Sequence, residues 1–102
     1  MIQKNTQLVC VATFFAKDGC EELLLEELAA LMPPTRREEG CIRYELNRSM
    51  SEPRRFIYIE KFNDDAHFDL HAKAPHVVRL LEEVIPKLVE TSDIHTYREI
   101  VP

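Results

Sequence analysis

The side chains best suited to chemistry in this 102-residue chain are one glutamate and a few histidines and tyrosines. Glu60 stands inside the apolar run Phe56-Ile57-Tyr58-Ile59-Glu60-Lys61-Phe62. A carboxylate is costly to bury there unless it is paired or neutral, and burial raises its pKa toward the range of a general base. Glu60 is therefore a candidate base, or an anchor for a substrate hydroxyl. The plainer alternative is a sheet-edge Glu paired with a neighbouring Arg or Lys. His71 is the second candidate base, because imidazole titrates near neutral pH. His67 lies four residues earlier on the same helical face, and His76 follows five residues later. The His67-x-x-x-His71 pair has a spacing that can hold a metal, but no third ligand at a matching spacing is visible, so no metal is expected. Tyr44 and Tyr58 combine an apolar ring with a hydroxyl, which suits a pocket wall that orients a phenol and suits a plain core equally well. Tyr44 and Glu60 share a face in only one hairpin register, and a one-residue slip reverses the answer. Arg43 is expected to form a surface ion pair with Glu45 or a cross-strand neighbour. Cys41 is expected to be a packed strand residue.

These residues have to be positioned by a short series of elements. Leu8 to Ala16 is rich in β-branched and aromatic residues and predicts a strand that Lys17-Asp18-Gly19 ends. Asp18 followed three residues later by Glu21 has the form of a capping box. Leu24, Leu28 and Leu31 then recur at helical spacing, until Pro33-Pro34 bends or ends the helix. Thr35 to Glu39 adds a further turn before Gly40. Two strand-like runs follow, Cys41 to Arg48 and Arg54 to Phe62, joined by the polar loop Ser49 to Pro53. Asn63 or Asp64 caps a short helix reaching about Ala72. Pro75 opens another, with Val77, Val78, Leu80, Leu81, Val84, Ile85 and Leu88 on its apolar side and Pro86 near its end. Asp93 to Val101 predicts a closing strand. The order is β-α-β-β-α-β, the split βαβ, ferredoxin-like arrangement of an antiparallel sheet with helices on one face, and thus an α+β fold. Residues 56–59 are apolar on both sides of their strand, whereas a strand covered on one face alternates. A second copy of the same sheet is the simplest cover, which predicts a homodimer.

Length and composition bound the function. A chain of 102 residues forms one domain, with 45% hydrophobic and 30% charged residues, an ordinary globular balance. The net charge of −5 gives nucleic-acid binding no electrostatic support. The basic cluster Arg36, Arg37 and Arg43 is interleaved with Glu38, Glu39 and Glu45 and is taken as a solvated face. No apolar run is long enough to cross a bilayer, and the first fifteen residues lack the pattern of a secretory leader. Three scattered cysteines without C-x-x-C spacing fit a reducing, cytoplasmic location. There is no glycine-rich phosphate loop, Ser-His-Asp pattern or dinucleotide fingerprint, so no cofactor is expected and an oxidation would have to draw its electrons from the substrate.

The stretch Thr35-Arg36-Arg37-Glu38-Glu39-Gly40-Cys41-Ile42-Arg43-Tyr44-Glu45-Leu46 resembles the pattern T-R-x-E-x-G-C-x-x-Y-E-L of the antibiotic biosynthesis monooxygenase (ABM) superfamily. Phe56 to Phe62 resembles the family's F-x-x-Y/I-E-x-W strand, and Ala66, His71 and Pro75-His76 resemble its following helix start. The resemblance implies a dimeric α+β barrel, in which two sheets pack face to face and each subunit keeps a pocket between sheet and helices. The resemblance strengthens Glu60 and His71 as the expected catalytic residues; Tyr44, Tyr58 and His76 are the expected substrate-binding ones. The segments look most like the quinol monooxygenase and autoinducer-2 phosphate isomerase branches. Phe62 stands where the family has a strand Trp, and the chain has no Trp at all, which argues against the Trp-dependent haem-degrading branch. The resulting expectation is a cofactor-independent monooxygenase acting on a small electron-rich quinol or phenol with O2. The alternatives are an isomerase of a phosphorylated hydroxyketone and a non-catalytic module that binds a small ligand.

Overall fold

The structure, a computed structural model, describes residues 5–102. The first four residues, part of the segment taken to lack a leader, lie outside the described residues. The elements follow in the expected order: β1 (Leu8–Ala16), α1 (Glu21–Ala30), α2 (Met32–Arg36), β2 (Cys41–Arg48), β3 (Arg55–Phe62), α3 (Asp65–Lys73), α4 (Pro75–Arg79), a π-helical turn (Leu80–Val84), α5 (Ile85–Leu88) and β4 (Val89–Arg98). The four strands form one antiparallel sheet in the order β2-β3-β1-β4. This is the ferredoxin-like α+β arrangement.

The alternation of β1 shows how the sheet divides. Leu8, Cys10, Ala12, Phe14 and Ala16 point into the core, while the residues between them are half-buried on the opposite face. On β3, Phe56, Tyr58, Glu60 and Phe62 point the same way. Leu24 and Leu28 of α1 and Val77, Leu80 and Val84 of the second helical stretch close over this face. Each buried Leu or Phe contributes on the order of 1.5–3 kcal/mol, so this single layer carries most of the fold's stability. The other face presents Val9, Val11, Phe15, Ile57 and Ile59, all half-buried, and Tyr97 at 54% exposure. Among the described residues no helix covers it. On β4, nine of ten residues are exposed.

Three local expectations change. Asp18 does not cap α1: a turn closed by the Cys20 amide on the Lys17 carbonyl, with Gly19 at φ +79°, moves the helix start to Glu21. The prolines do not simply end the first helix; Pro33 and Pro34 fall in the first turn of α2, where a missing N–H costs nothing. The last strand begins at Val89, four residues earlier than expected, because Val89 already pairs with Ala16 of β1 past a bulge. Pro86 cannot donate to the turn before it, and the chain widens there, with the Ile85 amide bonding the Leu80 carbonyl.

Candidate functional site

The hairpin register settles the question that spacing left open. Tyr44 lies directly opposite Glu60, and Leu46 opposite Tyr58, so all four project from the helix-facing side of the sheet. β3 is an interior strand, and Glu60 is only 4% exposed. Glu60 is thus no edge residue paired with Arg or Lys. Its Oε1 has no hydrogen-bond partner among the described residues. Burial pushes the carboxyl up to about 8; the Cys10 thiol on β1 pulls the other way, and the Glu38 charge adds to the rise. Below that pH Glu60 is a neutral acid with a proton to give.

His71 comes over this strand from α3. Asp64 caps the helix, accepting the His67 amide at 2.9 Å and the His67 ring at 2.7 Å. The His67 ring packs where a side chain on Gly40 would stand, and Gly40 has φ +86°. The Gly40 carbonyl accepts the Asn63 amide at 2.8 Å. These contacts tie the start of α3 to the start of β2 and fix how α3 sits on the sheet. The His71 ring then rests against Phe62 at 4.9 Å and Tyr44 at 5.6 Å between ring centres. Its Nε2 stands 3.5 Å from Glu60 Oε1. Its Nδ1 lies 2.9 and 3.1 Å from the two oxygens of Glu38, in the loop between α2 and β2. Against an ionised carboxylate, which only accepts, a neutral ring would carry its hydrogen on Nδ1 and leave Nε2 bare. Burial lowers the His71 pKa; Glu38 raises it and His76 lowers it further, leaving a net fall and a neutral ring at physiological pH.

Between sheet and helices lies a cavity of about 220 Å³, bounded by Tyr44, Tyr58, Glu60, His71, Phe68, Leu80 and Ile94 among others. Its wall is almost entirely apolar apart from the acid, the imidazole and the two tyrosines. Tyr44 and Tyr58 stack at 4.6 Å, and burial pushes both hydroxyls well above their usual range, so both stay neutral. Tyr58 donates to the Leu28 carbonyl, which anchors α1 to the sheet. Its hydroxyl is therefore already engaged.

Four of the five expected site residues line this one cavity: Glu60, His71, Tyr44 and Tyr58. His76 is not among the lining residues. It stands behind His71 and donates from Nε2 to Glu38 Oε2 at 2.6 Å. Glu38, taken as part of a solvated face, is the residue that spacing missed; its side chain is 17% exposed and bridges both histidines. The fixed Glu of the T-R-x-E pattern was the available signal. Arg36 stays exposed, as expected, while its guanidinium donates twice to the Tyr44 carbonyl, at 3.1 and 2.9 Å. Arg43 pairs with Glu45 at 2.8 Å, as expected. Glu38, His71 and His76 bring one ligand atom each within 4.8 Å of one another, so the three could hold a metal, although the His67-His71 pair does not take part. In the structure their hydrogen bonds satisfy one another.

A ferredoxin-like sheet encloses an apolar cavity in which a buried carboxyl group and an imidazole stand side by side, groups whose chemistry suits proton transfer away from water. The comparisons with known proteins name the family. Residues 7–83 match the family model described as antibiotic biosynthesis monooxygenase, and the chain belongs to that family. It is 45% identical to the protein SO0527 of Shewanella oneidensis, with both chains covered over 100% of their length and a TM-score of 0.96. It is 30% identical to PA3566 of Pseudomonas aeruginosa, covering 97% of this chain and 99% of that one, at a TM-score of 0.89. With the protein sll1783 of Synechocystis it shares 29% identity over 77 residues, 72% of this chain; the match spans 52% of the relative's length, about half.

Proposed function

We propose that the protein is a cofactor-independent monooxygenase of a small, electron-rich quinol or phenol. The observation that carries this reading is the pairing of Glu60 and His71 within one apolar cavity. His71 Nε2 takes the proton of a substrate hydroxyl, and the imidazolium so formed faces the Glu38 carboxylate through Nδ1. The phenolate, with little water around it, passes an electron to O2, and radical recombination forms a C–O bond to a ring carbon. Transfer of that carbon's proton to the outer oxygen, with cleavage of the O–O bond, leaves one oxygen as a quinone carbonyl. The other departs as hydroxide, which the Glu60 carboxyl protonates to water, and the His71 imidazolium returns its proton to Glu60 across 3.5 Å. Substrate with a ring C–H plus O2 thus gives quinone plus water, and the substrate supplies all the electrons.

Size and charge narrow the substrate class. A cavity of about 150 Å³ accepts benzene, so about 220 Å³ suits a single substituted ring and is tight for several fused ones. No Lys or Arg lines the cavity among the described residues, and Glu60 is within it. A phosphorylated hydroxyketone would bring a dianion to that wall without a counter-charge, so the isomerase alternative is the weaker fit. We further propose that the half-buried face bearing Val9, Val11, Ile57 and Ile59 packs on its counterpart in a homodimer.

Oxygen uptake by purified protein, offered a panel of monocyclic hydroquinones and phenols, tests the function. Uptake above autoxidation that is lost in Glu60→Gln and His71→Ala is the expected result. No uptake across the panel, with turnover of a phosphorylated hydroxyketone, would replace this reading with the isomerase.

A further inference from the structure

We propose that Glu38 is the positioning residue of this site, holding His71 in a single tautomer with Nε2 open to the cavity, and that His76 in turn holds Glu38. The proposal deepens the function above and rests on His71 acting as its base.

The geometry carries it. Both Glu38 oxygens lie within hydrogen-bond reach of His71 Nδ1, and Oε2 also accepts from His76 Nε2 at 2.6 Å. The carboxylate is therefore gripped from α3 on one side and from α4 on the other. The two histidines approach with ring centres 6.3 Å apart and planes inclined at 62°. Ala74 has extended backbone between α3 and α4, and its break in the helix lets both rings converge on one carboxylate. An uninterrupted helix would set residues five apart on different faces. The groups facing His71 are then Glu38 from the loop after α2, Glu60 from β3, Tyr44 from β2 and His76 from α4, with the Cys10 thiol beside Glu60 from β1. Glu60 is buried and holds its proton, so Glu38 is the neighbouring carboxylate that can balance a positive charge on the ring. Without it the ring would be free to take either tautomer. With Nδ1 bare and Nε2 protonated, it would offer the cavity a donor where the reaction needs an acceptor. His76, with 23% of its side chain exposed, is the outermost member of the group.

Nitrogen-15 NMR of the histidine rings, combined with steady-state kinetics, tests this in Glu38→Gln, Glu38→Asp, His76→Ala and His76→Gln. In the wild-type protein His71 should show a protonated Nδ1 and a bare Nε2 at neutral pH. Glu38→Gln should lower the His71 pKa by about one unit or more, as loss of an adjacent opposite charge does. It should reduce kcat roughly tenfold while leaving KM nearly unchanged, since the carboxylate touches no substrate. Glu38→Asp should recover part of both. His76→Ala should give a smaller effect of the same kind, which His76→Gln, still a donor, should largely reverse. A wild-type His71 protonated at Nε2 would overturn the proposal, as would an unchanged His71 pKa in Glu38→Gln. Titration with zinc chloride is the third arm: a stoichiometric complex that Glu38→Gln abolishes would make the three residues a metal site instead. Should the protein oxidise no hydroquinone, the oxygenase reading falls, while the ring nitrogens still decide the role of Glu38.

Discussion

Glu60 and His71 are perturbed in opposite directions by the same cause. Burial disfavours the charged form of each, so the acid is pushed up and the imidazole down. Stability then varies with pH in two ways. The carboxyl, raised to about 8, contributes stability that is fully present below its unfolded value near 4.5 and is lost as pH rises through 8. The imidazole, lowered from 6.5, contributes stability that is present above that value and is lost as pH falls through its folded pKa. Thermal melts of Glu60→Gln should match the wild-type protein below about pH 4.5, pull ahead as pH rises, and exceed it above pH 8 by on the order of a few kcal/mol. An equal gain at every pH would show that Glu60 does not titrate in this range. For turnover, a bare His71 and a protonated Glu60 are both required, so kcat should follow a bell whose alkaline limb lies near 8. That limb should vanish in whatever activity Glu60→Gln retains.

At the scale of elements, the site depends on α3 lying in one place on the sheet. Gly40 is the hinge of that arrangement. A Cβ at this position would come 2.3 Å from the His67 ring, on a backbone at φ +86° that other residues adopt at a cost. Gly40→Ala should destabilise the fold by about 2–5 kcal/mol, the sum of the left-handed backbone and an overpacked contact. Urea unfolding measures this directly. Because the displaced His67 is bound to the Asp64 cap, the same change should move His71 and lower activity even in the fraction that stays folded. Gly19 also has positive φ but nothing within 4 Å, so Gly19→Ala should cost only the backbone term, about 1–2 kcal/mol. The contrast between the two variants isolates the packing contribution of His67.

At the scale of the whole molecule, one face of the sheet is closed by helices and the other is not. The open face carries Val9, Val11, Phe15, Ile57 and Ile59 on its central strands, and the exposed strand β4 lies along its border. Contiguous apolar surface of this kind is uncommon on a monomer. Sedimentation equilibrium at micromolar concentration should give twice the chain mass. Ile59→Lys, at the middle of the open face and away from the cavity, should shift the mass toward one chain without changing the far-ultraviolet circular dichroism. A wild-type protein that sediments as a monomer would sink the proposed sheet-to-sheet packing.

The order of elements and the bounds of β1 and β2 were legible in the sequence because they rest on local regularities. Alternating apolar residues, the proline that opens α4 and an Asp that caps α3 all act within a few positions of themselves. Glu60 was legible as well, because a lone carboxylate within an apolar strand is a local conflict. What the sequence left undecided depended on pairings between distant residues. The register that sets Tyr44 opposite Glu60 joins two strands across a loop, and either register satisfies the local pattern. The early start of β4 follows from its pairing with β1, more than seventy residues back along the chain. Glu38 was hidden most completely: flanked by charged residues it has the composition of a solvated loop, and only the convergence of α3 and α4 on it brings two histidines to one carboxylate. Local sequence determined which elements form and which residue would be hard to bury; tertiary packing decided which groups meet, because hydrogen bonds and charges act over distances in space that spacing along the chain does not encode.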